Sequence, residues 1–236
     1  MSSKMINRLL VQLAETRSGN DRANVLEELR RLILSGGAPP GTQIMLADIA
    51  DAFGVSAIPV REALKTLVGE GLVDHQRNSG YHVSQLSLAE LKEIYFVRGV
   101  LEQAALARSV SNITDAQIAA ATEFHQELLT ATKFNDGKAF HDVSRRFHTT
   151  LTAPCAMPRL LNMFDATWNL TEPFQVMRSV DSPTQAKLNS DHADLLAAFT
   201  ARDTSAVLAA AGVHHARLEE AIIETSESLR VRPDLG

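Results

Sequence analysis

The chain has 236 residues, 45% of them apolar and 22% charged, with a net charge of −5. That length and composition support a pair of compact domains with their own cores. The single Cys155 excludes an intramolecular disulfide and a cysteine-based zinc site. No segment approaches the roughly 20 apolar residues of a membrane span, and the N-terminus lacks a secretory pattern, so a cytoplasmic protein without a membrane partner is expected.

Residues 1–20 form an N-terminal extension, in which Met5, Ile6, Leu9, Leu10 and Leu13 precede a polar break at Thr16–Asn20. This pattern fits either a short helix or an arm. Val25 to Leu34 is amphipathic and closes at Gly36-Gly37, and Pro39-Pro40-Gly41 is a turn. The stretch Asp48–Leu64 then predicts a short helix, a turn at Gly54 and a second helix. Ser56 is the expected N-cap, and Pro59 falls in the first turn, where a missing N–H costs nothing. This is a helix-turn-helix, whose second helix lies in the DNA major groove with its N-terminal residues nearest the base edges. Leu64, Leu67 and Val68 supply an apolar face, and Gly69-Glu70-Gly71 ends the helix. Leu72 to Val83 predicts a hairpin around Asn78-Ser79-Gly80, which completes a winged helix over residues 21–84.

Charge divides unevenly. Residues 1–83 hold nine Lys/Arg and nine Asp/Glu, so a DNA-binding unit there must gather its positive charge on one face. Arg61, Lys65 and Arg77 are the expected phosphate or base contacts. Arg30 and Arg31 fit that role or an ordinary solvated face equally well. Ser56, Asn78, Gly80 and Tyr81 complete the expected DNA-facing set.

These residues carry a resemblance. Pro40-Gly41-Thr42, Phe53-Gly54-Val55-Ser56, Pro59-Val60-Arg61-Glu62-Ala63-Leu64, Glu70-Gly71-Leu72-Val73 and Gly80-Tyr81 resemble the winged helix of the GntR family. The resemblance spans about residues 24–84 and implies operator DNA as a partner. This chain departs from the family in one place. It has Ala57 and Ile58 where the family commonly places Arg and Thr, and neither can hydrogen-bond a base or a phosphate.

After a linker at 85–87, the chain reads as helical almost throughout. Ser87 and Glu90 form a capping-box pattern that opens a long helix to about Val110. Start signals recur at Thr114-Asp115, Asn135-Asp136-Gly137, Met157-Pro158, Asp181-Ser182-Pro183 and Asp203-Thr204. The expected fold is therefore mainly α, a winged helix-turn-helix followed by an all-α antiparallel bundle over 88–228. The bundle has six helices, or seven if the first is broken, with a tail at 229–236. No nucleotide-binding signature is present.

His148, His192 and the pair His214-His215 fall on three predicted helices, so they can converge in the bundle interior on a divalent ion. Spacing alone favours unrelated histidines. However, Arg98–Glu102, Arg146–Leu151, Asp191–Phe199 and His214 resemble the FCD effector domain of the FadR branch of GntR regulators, over about Leu88 to Thr225. The resemblance implies a metal on His148, His192 and His214 beside an organic-acid effector, with His215 on another helix face. It also assigns an aspartate four residues before the first histidine. Here that residue is Ser144, and Asp142 is turned off the face. Three neutral imidazoles still suit zinc or nickel, and the missing carboxylate favours an anionic effector as a further ligand. Arg98 fits a carboxylate bidentately, or else pairs with Glu102 one turn on. Trp168 and Ser144 are the other expected effector contacts.

The function that follows is a homodimeric DNA-binding regulator, a repressor released by a small carboxylate metabolite. Two rivals are a metal-dependent hydrolase built on the three histidines and a DNA-binding protein with no effector. Turnover of esters or amides would mark the first, and sequence-independent binding the second.

Overall fold

A computed structural model describes residues 25–226 and 228–233. The apolar pattern at 5–14, the rest of the N-terminal extension and the last three residues of the tail lie outside the described residues. The chain divides into two compact units: the first takes residues up to Ser87 together with Asn169–Phe174 and the C-terminal segment from Arg230, and the second takes Leu88–Trp168 and Gln175–Leu229. The end of the helix over Pro158–Thr171 therefore belongs to the first.

The first unit is the expected winged helix. Helix α1 (Val25–Leu34) buries Val25, Leu29, Leu32 and Ile33, the amphipathic stripe read from the sequence. Strand β1 (Gln43–Ile44) leads into α2 (Leu46–Phe53) and α3 (Ala57–Gly69). Between these helices Gly54 adopts φ 64°, a left-handed conformation that a residue without Cβ accepts cheaply. The hairpin is β2 (Val73–Gln76) and β3 (Gly80–Val83), paired antiparallel with Val73 opposite Val83. β1 adds to the far side of β3, giving the order β1-β3-β2. That third strand was not anticipated, because two residues carry no alternation to detect.

Two local expectations are corrected. Ser56 occupies the N-cap position of α3, but its side chain makes no capping hydrogen bond. The apolar face of α3 is Val60, Ala63, Leu64 and Leu67, whereas Val68 is 37% exposed. Counting in helical steps from Val60 in the first turn yields this face; starting at Leu64 shifts it.

The second unit is a helical bundle made of α4 (Leu88–Ser109), α5 (Asp115–Lys133), α6 (Gly137–Thr152), α7 (Pro158–Thr171), α8 (Val176–Ser179), α9 (Ser182–Thr200) and α10 (Thr204–Thr225). Helix starts follow local capping chemistry. Thr114 and Gln117 form a full capping box, and the side chains of Asp136, Asp181 and Asp203 each accept a backbone N–H of the first turn. The seventh helix arises from a source other than a break in the first. Pro173 cannot continue α7, Gln175 turns at φ 50°, and the four-residue α8 buries Val176 and Met177. α5 packs on α6 and α9, and α10 packs on α9 and α4. At Gly99 the α4 backbone comes so near α10 that a Cβ would lie 3.2 Å from the His215 ring. No helix of the described residues is long and apolar enough to cross a membrane.

Candidate functional site

On the winged helix, α3 turns its buried residues inward and leaves Ser56, Ala57, Ile58, Arg61, Glu62 and Lys65 exposed. Arg61 has no hydrogen bond or ion pair with any described residue, and Lys65 meets only Glu62 at 2.9 Å. At the wing tip Arg77 and Asn78 are exposed, and Asn78 holds φ 71°. Gly80 follows at φ 82°, and the half-buried Tyr81 ring sits 4.6 Å from His75. Arg30 pairs with Glu27 of α1 and with Glu70 at the end of α3, and Arg31 pairs with Glu28 of α1.

In the bundle, α6, α9 and α10 carry His148, His192 and His214 to one point. All three are buried, and one nitrogen from each lies within 4.8 Å of the others. The ring centroids are 5.2 Å apart for His148–His192, 5.0 Å for His148–His214 and 4.6 Å for His192–His214. His192 is the telling member. It is 1% exposed, yet neither ring nitrogen has a hydrogen-bond partner among the described residues. A buried polar group left so costs about 1–3 kcal/mol, which a metal ligand bond relieves.

Two carboxylates that sequence reasoning did not place stand behind this cluster. Glu102 of α4 is buried, and its Oε1 lies 2.6 Å from His148 Nδ1. Its Oε2 lies 3.1 Å from His215 Nε2, so His215 belongs to the site's outer layer. Asp191 of α9 lies 3.7 Å from His214 Nδ1, too far for a hydrogen bond, and is held by Arg217. A carboxylate at Nδ1 leaves Nε2 of the same ring for a metal and makes it a better donor. Ser144, one turn before His148, is buried against the same cavity. Asp142 is exposed and bound to Lys138 at 2.6 Å. His125 also has a structural partner, the Asn189 carbonyl at 3.0 Å.

Electrostatics favour neutral rings at His192 and His214. Burial first, then the charges of His214 and His148, hold the His192 imidazole well below its usual range. Burial pushes His214 down to about 4, offset in part by Asp191. Burial would raise the Glu102 carboxyl, but the charge and hydrogen bond of His148, with His215, together hold it well below the usual carboxylate range. The consequence for stability has a definite sign. Between pH 6.5 and about 4 the unfolded chain protonates His214 and the folded one does not, so stability falls with pH across that window. Metal-stripped protein is expected to lose about 3 kcal/mol through this group between pH 7 and pH 4. Urea unfolding at the two pH values measures it, and equal stability at both would contradict the assignment.

Arg98 completes the cavity wall. It is 1% exposed, its guanidinium carbon lies 4.1 Å from the Tyr95 ring centre and 4.2 Å from that of Trp168, and Nη2 donates to the Thr167 carbonyl at 2.8 Å. The cavity it lines measures about 20 Å³. A water needs roughly 10–15 Å³ on this scale, so the space suits an ion with at most a small ligand.

A winged helix followed by a helical bundle with a polar, histidine-lined core defines a DNA-binding regulator with a ligand-binding domain. Comparison with known proteins agrees: residues 22–83 match the gntR family of bacterial regulatory proteins, and residues 93–217 match the FCD domain. The chain belongs to the GntR family of transcriptional regulators that carry an FCD effector-binding domain. It is 29% identical over 201 residues to the HTH-type transcriptional repressor RspR of Escherichia coli K12, covering 82% of this chain and 85% of that one. It is 27% identical over 181 residues to the HTH-type transcriptional regulator McbR of the same strain, covering 76% and 82%. The solved structure of Escherichia coli McbR/YncC superposes with a TM-score of 0.72 at 23% identity, over 93% of this chain and 98% of the other, which shows a shared fold. These relatives are regulators of transcription, not enzymes.

Proposed function

We propose that the protein is a cytoplasmic, homodimeric repressor whose operator affinity is set by a divalent ion and a small carboxylate in the bundle. The observation that carries this reading is the buried cluster of His148, His192 and His214, with His192 lacking any hydrogen-bond partner among the described residues. Three imidazoles suit zinc or nickel, and the ion would supply a Lewis-acidic position for an anionic oxygen. Ser144 stands where the family's aspartate would neutralise the ion, so the net positive charge favours a carboxylate effector. Arg98 is the second anchor for that effector, and Trp168 is the wall it meets.

Cavity size supplies the coupling. A space of about 20 Å³ cannot hold an organic acid, so effector binding requires a more open bundle. A ligand that binds only the open arrangement shifts the population toward it, and any difference in DNA affinity between the arrangements follows by linkage. A hydrolase reading lacks support, because Glu102 is engaged by two histidines and Asp191 by an arginine. The test is elemental mass spectrometry of protein purified without a histidine tag. About one ion per chain, lost in His148→Ala, supports the site; no ion after incubation with zinc or nickel contradicts it.

Homodimerisation is supported by α4. Phe96 is 69% and Val100 54% exposed on one face, with Val97 beside them. An antiparallel pairing of two α4 helices about Val100 sets Phe96 opposite Ala104 and Glu93 near Arg108 of the second copy, all four exposed. Val100→Glu is expected to convert the dimer to a monomer in light scattering. An unchanged mass would place the dimer contact on another surface.

A further inference from the structure

One prominent side chain on the exposed face of α3 has no role in the fold. Ile58 is 68% exposed in the first helical turn, and Ala57 beside it is exposed as well. The winged-helix core takes Val60, Ala63, Leu64 and Leu67 from the opposite face of α3. Ile58, Arg61 and Lys65 stand at i, i+3 and i+7, which aligns them along one stripe. An isoleucine set in a row with two cations, at the end of the helix that a helix-turn-helix brings to the base edges, faces the major groove.

Its chemistry narrows what it can read. Ile58 can neither donate nor accept a hydrogen bond, so the donors and acceptors of guanine, cytosine and adenine offer it nothing. The one apolar group a base pair presents in the major groove is the 5-methyl of thymine. We propose that Ile58, flanked by Ala57, is a specificity residue that packs against thymine methyl groups in each operator half-site, beside the base step reached by Arg61. This rests on the reading of α3 as the recognition helix.

The experiment separates the two. Binding sites are selected from a random duplex pool with the full-length protein, and each thymine of the selected site is then replaced singly by deoxyuridine, which lacks only the methyl. At one or two positions per half-site the wild-type protein is expected to lose about three- to five-fold in affinity per methyl. Ile58→Ala, which folds because the site is exposed and alanine favours helix, binds the thymine site more weakly and loses nothing further at those positions. Tolerance of every deoxyuridine by the wild type, or losses that simply add in Ile58→Ala, overturns the role of Ile58 and leaves the recognition helix intact. If no sequence is enriched, or Arg61→Ala binds the selected site as well as wild type, the recognition-helix reading fails and the proposal with it.

Discussion

Arg61→Ala is expected to weaken operator binding by at least roughly thirty-fold while the protein keeps its melting temperature. The side chain is exposed and makes no hydrogen bond or ion pair among the described residues, so its loss is expected to change stability by no more than about 0.5 kcal/mol. Against DNA the same guanidinium is worth about 1–3 kcal/mol if it forks onto a base, and a dimer presents it twice. The expected loss is therefore about 2–6 kcal/mol, from roughly thirty-fold to more than ten-thousand-fold in Kd. Fluorescence anisotropy with the selected operator measures the loss, and circular dichroism checks the fold. A phosphate contact would give a smaller, sequence-independent loss together with a shallower salt dependence. Normal binding would remove Arg61 from the interface.

The second large effect is expected at His192. In the wild type, zinc or nickel at about a hundred times its Kd should stabilise the fold by about 2.7 kcal/mol, or roughly 5–10 °C in Tm for a domain of this size. His192→Ala removes one of three donors, and that increment should vanish. The substitution also removes the two buried ring nitrogens that lack partners among the described residues, which offsets part of the cavity left beside the Phe147 ring 4.5 Å away. The metal-free variant should therefore stay folded and still bind operator, and only its response to metal and carboxylate is lost. A full metal-dependent Tm shift in His192→Ala would show that the ion, if bound, sits elsewhere.

The parts of the fold legible in the sequence are those set by local chemistry. Asp136, Asp181 and Asp203 mark helix starts because each cap needs only the N–H groups of the following turn. Gly54 and the Asn78–Gly80 turn are legible for the same reason. β1 and α8 were not, because two strand residues and four helical ones have no period, and only tertiary packing selects them. Ser56 shows the reverse error: it has the right residue type at the N-cap, without the hydrogen bond. At the histidine cluster, spacing alone left the three rings ambiguous, and the family resemblance selected them. His215, read as lying on another helix face and not as a ligand, stands outside the three-histidine cluster and against Glu102. Glu102 and His148 are 46 residues apart, a contact between α4 and α6 that no local pattern announces. In the sequence Glu102 read only as a possible partner of Arg98 one turn away. Arg98 instead lies between Tyr95 and Trp168, and Trp168 comes from a different helix.

The measurement that bears most directly on the central claim is operator affinity as a function of site occupancy. Anisotropy titrations would compare metal-stripped protein, zinc- or nickel-loaded protein, and loaded protein with a mixture of small carboxylates. The proposed coupling predicts a Kd that weakens by at least about five-fold between the stripped or metal-only state and the carboxylate-loaded one, a shift absent in His192→Ala. An identical Kd in all three states would contradict control of DNA binding by this site.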